Sequence, residues 1–335
     1  MSKNAGISII RVLAMFSIIL THWCKLAQIN DYQLFSIGVE IFLFISGYLY
    51  GKKEISNKTL WIKTRIKRLM FPYWMVLILI AGTRLLLEMN ISIKNFVLNL
   101  FSIQGINRIL LNLDTGSIEG YGQTWFLTIL WVCYFIMLLL KSNKRIDDYL
   151  SNRPVCLFAI LAVLQIVMAF CGVQMVYIIC YFMGYFLSRK EWLNKKIYAL
   201  ITCLFIVLSI VRLTTRNIFD GTILYDHIIA RWSFVAMAIW IIMTLLFVCN
   251  RYKRISENIV KSKAWSIMDY LSYPLFLTHY ALLSGDLSVK FLGGNLIVQT
   301  LIFALLTMVL SVIVAFTTDW SGAYNVFLNP PKNNV

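Results

Sequence analysis

The sequence predicts an all-α fold, a polytopic transmembrane helix bundle of about ten spans with both termini on the inner side, filling residues 1–335 as a single domain. Three observations lead there. The 335 residues are 60% hydrophobic and only 14% charged, with a mean hydropathy of +0.75, whereas a soluble chain carries about 25% charged residues. Ten apolar runs approach the roughly 20 residues that a helix needs to cross a bilayer. The charge is lopsided, with 31 Lys and Arg against 15 Asp and Glu, and its placement follows the runs.

The first run, Ile7 to Trp23, resembles a secretory leader in position, but Arg11 interrupts it and no small-residue cleavage site follows, so it reads as a retained span near 6–24. The remaining nine fall near 33–51, 70–88, 124–141, 154–171, 173–188, 196–213, 228–249, 266–284 and 296–318, divided by polar or Gly/Pro-marked turns. The fifth and sixth are joined by almost nothing at Cys171-Gly172, which leaves a tight hairpin or one split element. With the N-terminus inside, 22 of the 31 cationic residues fall in inner segments, from Lys3 through the Lys52 to Arg68 group, Lys190 and on to Lys332. Such a bias orients a chain with N and C termini inside. The outer loop 89–123 holds an apolar stretch, Phe96 to Ile103, suited to the membrane interface.

The net charge of +16 does not indicate nucleic acid, because no basic run with interleaved aromatics forms a separable face. Seven cysteines stand singly with no C-x-x-C, as small core residues do, and no metal site is expected.

Ionisable residues inside spans are costly and mark interior sites or pathways. Arg11 and His22 are eleven residues apart, which at 3.6 residues per turn sets them within about 20° on one face and about 16 Å apart. His22 reads equally as an imidazole wetted by headgroups or as a catalytic base. Glu40 opens the second span at a similar depth, where a carboxylate would orient an imidazole and stabilise its protonated form; the other reading is a headgroup-level acid without a partner. His279 lies in the outer half of the ninth span. His227 sits before the eighth in a segment expected to face solvent, and Arg231, one turn further in, either lines the same chamber or anchors its helix. On the inner side Arg65 and Arg68, at i and i+3, share a helical face ahead of Pro72-Tyr73. Guanidinium pairs suit phosphate, though ordinary inner-side charge explains them as well.

Arg11-x10-His22, Gly38-Val39-Glu40-x-Phe42-x3-Ser46-Gly47, Arg65-x2-Arg68-x3-Pro72-Tyr73, Trp125-Phe126-Leu127 and Ser272-Tyr273-Pro274-x4-His279 occur in that order along most of the chain. Together they resemble the integral-membrane acyltransferase 3 family. Phe42-Leu43 stands where the family often has two Phe, and Gln123-Thr124 precedes Trp125 where a His is frequent.

The resemblance implies a membrane O-acyltransferase that moves an acyl group, commonly acetyl, from cytosolic acyl-CoA to a hydroxyl of a cell-surface or lipid-linked glycan. The implied setting is the bacterial plasma membrane. Acyl-CoA is the donor substrate, membrane lipid surrounds the chain, and no bound cofactor is expected. Many relatives carry an added hydrolase-like domain; a chain ending at Val335 is expected to act as the bundle alone or with a separate partner. The roles carried over are His22 as general base, Glu40 as its orienting group, Arg11 as a positioning or charge-stabilising group, and Arg65 and Arg68 for the CoA phosphates. His279, Trp125, Ser46 and Tyr73 are expected to support the site. Two rivals stand beside this reading: a glycan transporter or flippase, which needs polar residues along a continuous route, and a non-catalytic subunit of a polysaccharide export system.

Overall fold

A computed structural model of the protein describes residues 5–29, 35–110, 117–189, 194–285 and 287–328. Lys3, Lys190 and Lys332, counted above among the inner cations, lie outside the described residues.

The described chain is helical, with a single isolated bridge between Leu110 and Val173 in place of any strand. In order the helices are α1 (Ala5–Leu26), α2 (Gly38–Gly51), α3 (Lys58–Arg65), α4 (Phe71–Leu86), α5 (Ile93–Leu100), α6 (Trp125–Ser142), α7 (Lys144–Asn152) and α8 (Pro154–Phe170). They continue as α9 (Val176–Leu187), α10 (Lys195–Phe219), α11 (Ala230–Arg251), α12 (Lys253–Lys261), α13 (Lys263–Leu283), α14 (Leu296–Thr318) and α15 (Trp320–Phe327). A helix stands at each of the ten expected positions. Among the described residues, six helical segments are long and apolar enough to cross a membrane, and a seventh is added if α7 and α8, bent by 93°, count as one. The shortfall has physical causes. α2 and α9 are apolar but only 14 and 12 residues long, and α13 carries Lys263, Asp269 and His279 along its length.

Helix starts follow local chemistry. Asn57, Asn143, Asn194 and Asn295 each accept a hydrogen bond from the backbone N–H three residues on, satisfying a donor that the first turn leaves open. α3 and α4 form one rod, Lys58–Leu86, interrupted by a π-helical turn at Ile66–Met70. Tyr273 of α13 donates to the carbonyl of Leu69 in that turn at 2.8 Å, fixing the two elements together.

The Cys171-Gly172 junction is a tight hairpin. Gly172 takes a positive φ of 80°, which glycine adopts without a side-chain clash. The Gln165 side chain accepts from the Met175 N–H at 2.7 Å and donates to Gln174, so the turn between two apolar helices keeps its polar groups satisfied.

The core is centred on α2, which packs against α1, α9 and α11. Glycines permit the approach: a Cβ on Gly47 would stand 1.9 Å from the Tyr181 carbonyl oxygen, and one on Gly184 would stand 2.0 Å from that of Phe44. Small residues that bring helix backbones together are a means of association where lipid competes with apolar side chains. α10 has no buried residue and rests on α11.

The bundle has two chemically distinct ends. At one, the Lys141 ammonium and the Arg189 guanidinium both donate to the carbonyl of Gly51 at the end of α2, at 3.3 and 3.0 Å. Lys58 donates to Ser142, the last residue of α6. Arg189 also pairs with Asp147 at 2.6 Å and donates to Ser151, tying α7 to α9. The opposite end gathers the start of α6 and the ends of α1 and α13. The 18 residues of α6 set the two ends about 26 Å apart at 1.5 Å per residue.

Candidate active site

At the end opposite the cations, a cavity of about 280 Å³ is bounded by His22 of α1 and Tyr280 of α13. The start of α6 supplies Trp125, with Gly122 and Gln123 just before it, and the preceding loop adds Gln104, Asn107 and Ser117. The α6 N-terminus comes close because position 105 is glycine: a Cβ there would lie 2.1 Å from the Trp125 carbonyl oxygen.

His22 is half-buried, and its imidazole ring stands 5.3 Å from that of His279 and 4.7 Å, edge-on, from the Tyr280 ring. Two histidines that the sequence places 257 positions apart are thus neighbours. His279 is fully buried; its Nδ1 lies 2.8 Å from the carbonyl of Phe276 and must carry the proton there, which leaves the lone pair on Nε2. Trp125 leans on Tyr177 of α9 at 4.9 Å. Tyr73, fully buried, accepts from the amide of Gln104 at 3.2 Å, and the same amide donates to Thr124 at 2.8 Å, so Tyr73 supports a cavity wall without reaching the cavity. Ser46 is half-buried on α2 beside Gly47 and does not line the cavity.

Two expectations are corrected. Glu40 is not joined to His22: no hydrogen bond or ion pair links them among the described residues. Glu40 is 1% exposed on the side of α2 that faces α9 and α11, with its carbonyl accepting from the Cys180 thiol, and the charge acting on it is that of Arg231. Arg231 of α11 is half-buried and lies over the Tyr177 ring of α9 at 5.6 Å, a contact between the two helices rather than a surface anchor. Equal depth along two helices does not fix their rotation, and α2 is turned by the demands of Gly47 and Gly51 against α9. Arg11, for its part, is paired: its guanidinium grips Asp269 of α13 through Nε at 3.0 Å and through a second, shorter contact from Nη2. Asp269 was missed in the sequence reading, though it is the one acid within the ninth run.

Arg65 and Arg68 differ in their surroundings, contrary to a shared helical face. Arg65 is half-buried with its guanidinium over the rings of Tyr50 and Trp61 at 5.5 and 5.6 Å, while Arg68 is exposed. The π turn that begins at Ile66 is wider than an α turn and rotates Arg68 away. Both charges remain within electrostatic reach of Tyr50, near the cationic end. His227 is half-buried in a second π-helical turn, Leu224–Ile229, not fully exposed.

Gln104, Asn107, Ser117 and Tyr280 were also absent from the sequence reading, and Gln123 entered it only as a departure from the family's pattern ahead of Trp125. Only Gln123 gave a signal, as an amide directly ahead of an apolar span.

No curated protein and no solved structure matches the chain. A family model described as an acyltransferase domain does match, and it covers residues 4–320, nearly the whole sequence. With several apolar helices of membrane-crossing length and that match over almost every element described above, the chain belongs to the acyltransferase 3 family of membrane acyltransferases.

Proposed function

We propose that the protein is an O-acyltransferase that takes an acyl group, most simply acetyl, from cytosolic acyl-CoA and gives it to a hydroxyl of a cell-surface or lipid-linked glycan. The bundle crosses a bacterial plasma membrane about ten times with both termini inside. The observation that carries the reading is the position of His22, an imidazole in the wall of a polar cavity at the end of the bundle opposite the cations. Arg65 and Arg68, beside Tyr50, meet the phosphates of the donor at the other end, and the donor's arm threads the bundle toward His22.

In the transfer, His22 removes the proton from the acceptor hydroxyl as its oxygen attacks the thioester carbonyl. The C–S bond breaks and CoA departs as a thiolate, which takes back the proton from the imidazolium. The rings of His279 and Tyr280 hold the His22 imidazole in place. Arg11, committed to Asp269, fixes α1 against α13 and so the height of His22 on the cavity wall. Glu40 and Arg231 place charge behind Trp125 and Tyr177 rather than on the base.

The test is turnover of acetyl-CoA by the purified full chain. His22→Gln, which keeps hydrogen-bonding capacity but no basic nitrogen, is expected to lower the rate by about 10²–10⁴-fold, the contribution of a positioned general base. Unchanged thioester consumption in that variant overturns the role of His22, and no thioester consumption by the wild type overturns acyl transfer.

A further inference from the structure

Gln123 is 4% exposed and bounds the cavity that holds His22. Its amide nitrogen donates to the carbonyl of Leu277 at 2.9 Å. Only the N–H side of an amide can face a carbonyl, so this bond fixes which way the group is turned and sets Oε1 on the other side. That oxygen is buried and has no hydrogen-bond partner. Behind His22 the pattern recurs: His279 spends its N–H on Phe276, and its Nε2 lone pair is buried without a partner. Buried polar atoms are almost always satisfied, and an unsatisfied one in a native protein calls for an explanation. Both orphans are acceptors. What satisfies them must donate hydrogen.

The cavity walls add a second constraint. Among the described residues, the side chains that line the cavity are amides, a hydroxyl, an imidazole, a phenol and an indole, with no carboxylate, Lys or Arg. An amide offers a donor and an acceptor together, which matches a hydroxyl, also both. An anionic group brought into such walls would lose its hydration and find no ion-pair partner among the lining side chains; the charge felt at His22 is that of Lys25, an exposed side chain outside the lining.

Resting on the acyl-transfer reading above, we propose that Gln123 is a specificity-determining residue: its Oε1 accepts a hydrogen bond from a hydroxyl of the acceptor, and the cavity selects uncharged polyhydroxylated acceptors over carboxylate-bearing ones. The hydroxyl read by Gln123 is a neighbour of the one that is acylated, because His22 and Gln123 bound the same small volume.

The experiment measures binding without acyl-CoA, so that it stands apart from turnover. Methyl glucopyranoside, its monodeoxy analogues and methyl glucuronopyranoside are titrated into the detergent-solubilised full chain by calorimetry, with wild type and Gln123→Met compared. The neutral glycoside is expected to bind about tenfold or more tightly than the uronoside, a difference well within calorimetric resolution. One monodeoxy analogue is expected to lose about tenfold in the wild type and almost nothing further in Gln123→Met, since substrate hydroxyl and side chain form one interaction and their losses do not add. Equal binding of uronoside and glucoside, additive losses in the variant, or no binding of any glycoside overturns the inference. Should Gln123→Met fail to give a monodisperse protein, the wild-type panel alone decides: equal affinity across the deoxy analogues removes hydroxyl reading. Acyl transfer is judged separately, by thioester consumption, and survives or fails independently.

Discussion

Arg11 and Asp269 stand on helices distant in sequence, and the acid is 5% exposed. The Asp269 carboxyl is buried while the Arg11 side chain keeps 36% of its surface exposed, so removing the arginine leaves a buried acid without its guanidinium partner. Arg11→Ala and Asp269→Ala are each expected to lower thermal stability in detergent by about 3 kcal/mol, with a double mutant less destabilised than the sum and a coupling of about 2 kcal/mol. Additive losses in that cycle would show that the pair does not act as a unit. Arg11→Lys keeps the charge but not the fork that reaches Asp269 through two nitrogens, and it is expected to recover only part of the loss. The residue scale is also where the sequence misled. A residue's depth along a helix can be counted from spacing, and this correctly put His22 and His279 near one level; which way each side chain faces depends on helix rotation, which no single helix encodes. Glu40 therefore seemed a partner for His22 and instead answers to Arg231. The partners of lone charges were equally hidden, because Asp269 pairs with a residue 258 positions away.

Elements were far more legible. Apolar runs of membrane length, divided by polar or Gly/Pro-marked turns, located a helix at each expected position, because both signals are local. What the runs did not reveal was length within the membrane: α2 and α9 are short, and their stability rests on each other. The Gly38-Val39-Glu40 to Ser46-Gly47 motif acquires a packing meaning here, since Gly47 touches the backbone of α9 directly. Gly47→Ala would drive a methyl group to 1.9 Å from the Tyr181 carbonyl oxygen, and separating the helices is expected to cost about 3 kcal/mol, the upper part of the overpacking range. Gly82 in α4 is the control: a Cβ there meets nothing within 4 Å, so Gly82→Ala is expected to be neutral or to gain up to about 1 kcal/mol from helix propensity. Unfolding midpoints of the two variants check this; a Gly47→Ala protein as stable as Gly82→Ala would mean that α2 and α9 are not held in close contact.

For the whole molecule, the basic excess and the polar cavity define a direction. Lys58, Lys141 and Arg189 meet around the ends of α2 and α6, and His22, Gln123 and Tyr280 meet about 26 Å away across the length of α6. If cationic residues orient the chain by staying inside, the first end faces the cytosol and the cavity faces outward, which is the arrangement that a cytosolic donor and an external acceptor require. Single cysteines test it. In a background with the native cysteines replaced by Ala, Lys58→Cys is expected to resist a membrane-impermeant maleimide in intact cells and to react after permeabilisation, while Lys94→Cys, exposed on α5 in the loop that this orientation would put outside, is expected to react in intact cells. Labelling in the reverse order would turn the molecule over. The cavity would then open on the side where acyl-CoA is made, and acceptor and donor would have to enter from the same compartment, which the separation of His22 from Arg65 does not favour. A transporter would give the same labelling but would not consume thioester, so orientation and turnover together decide what the two ends are for.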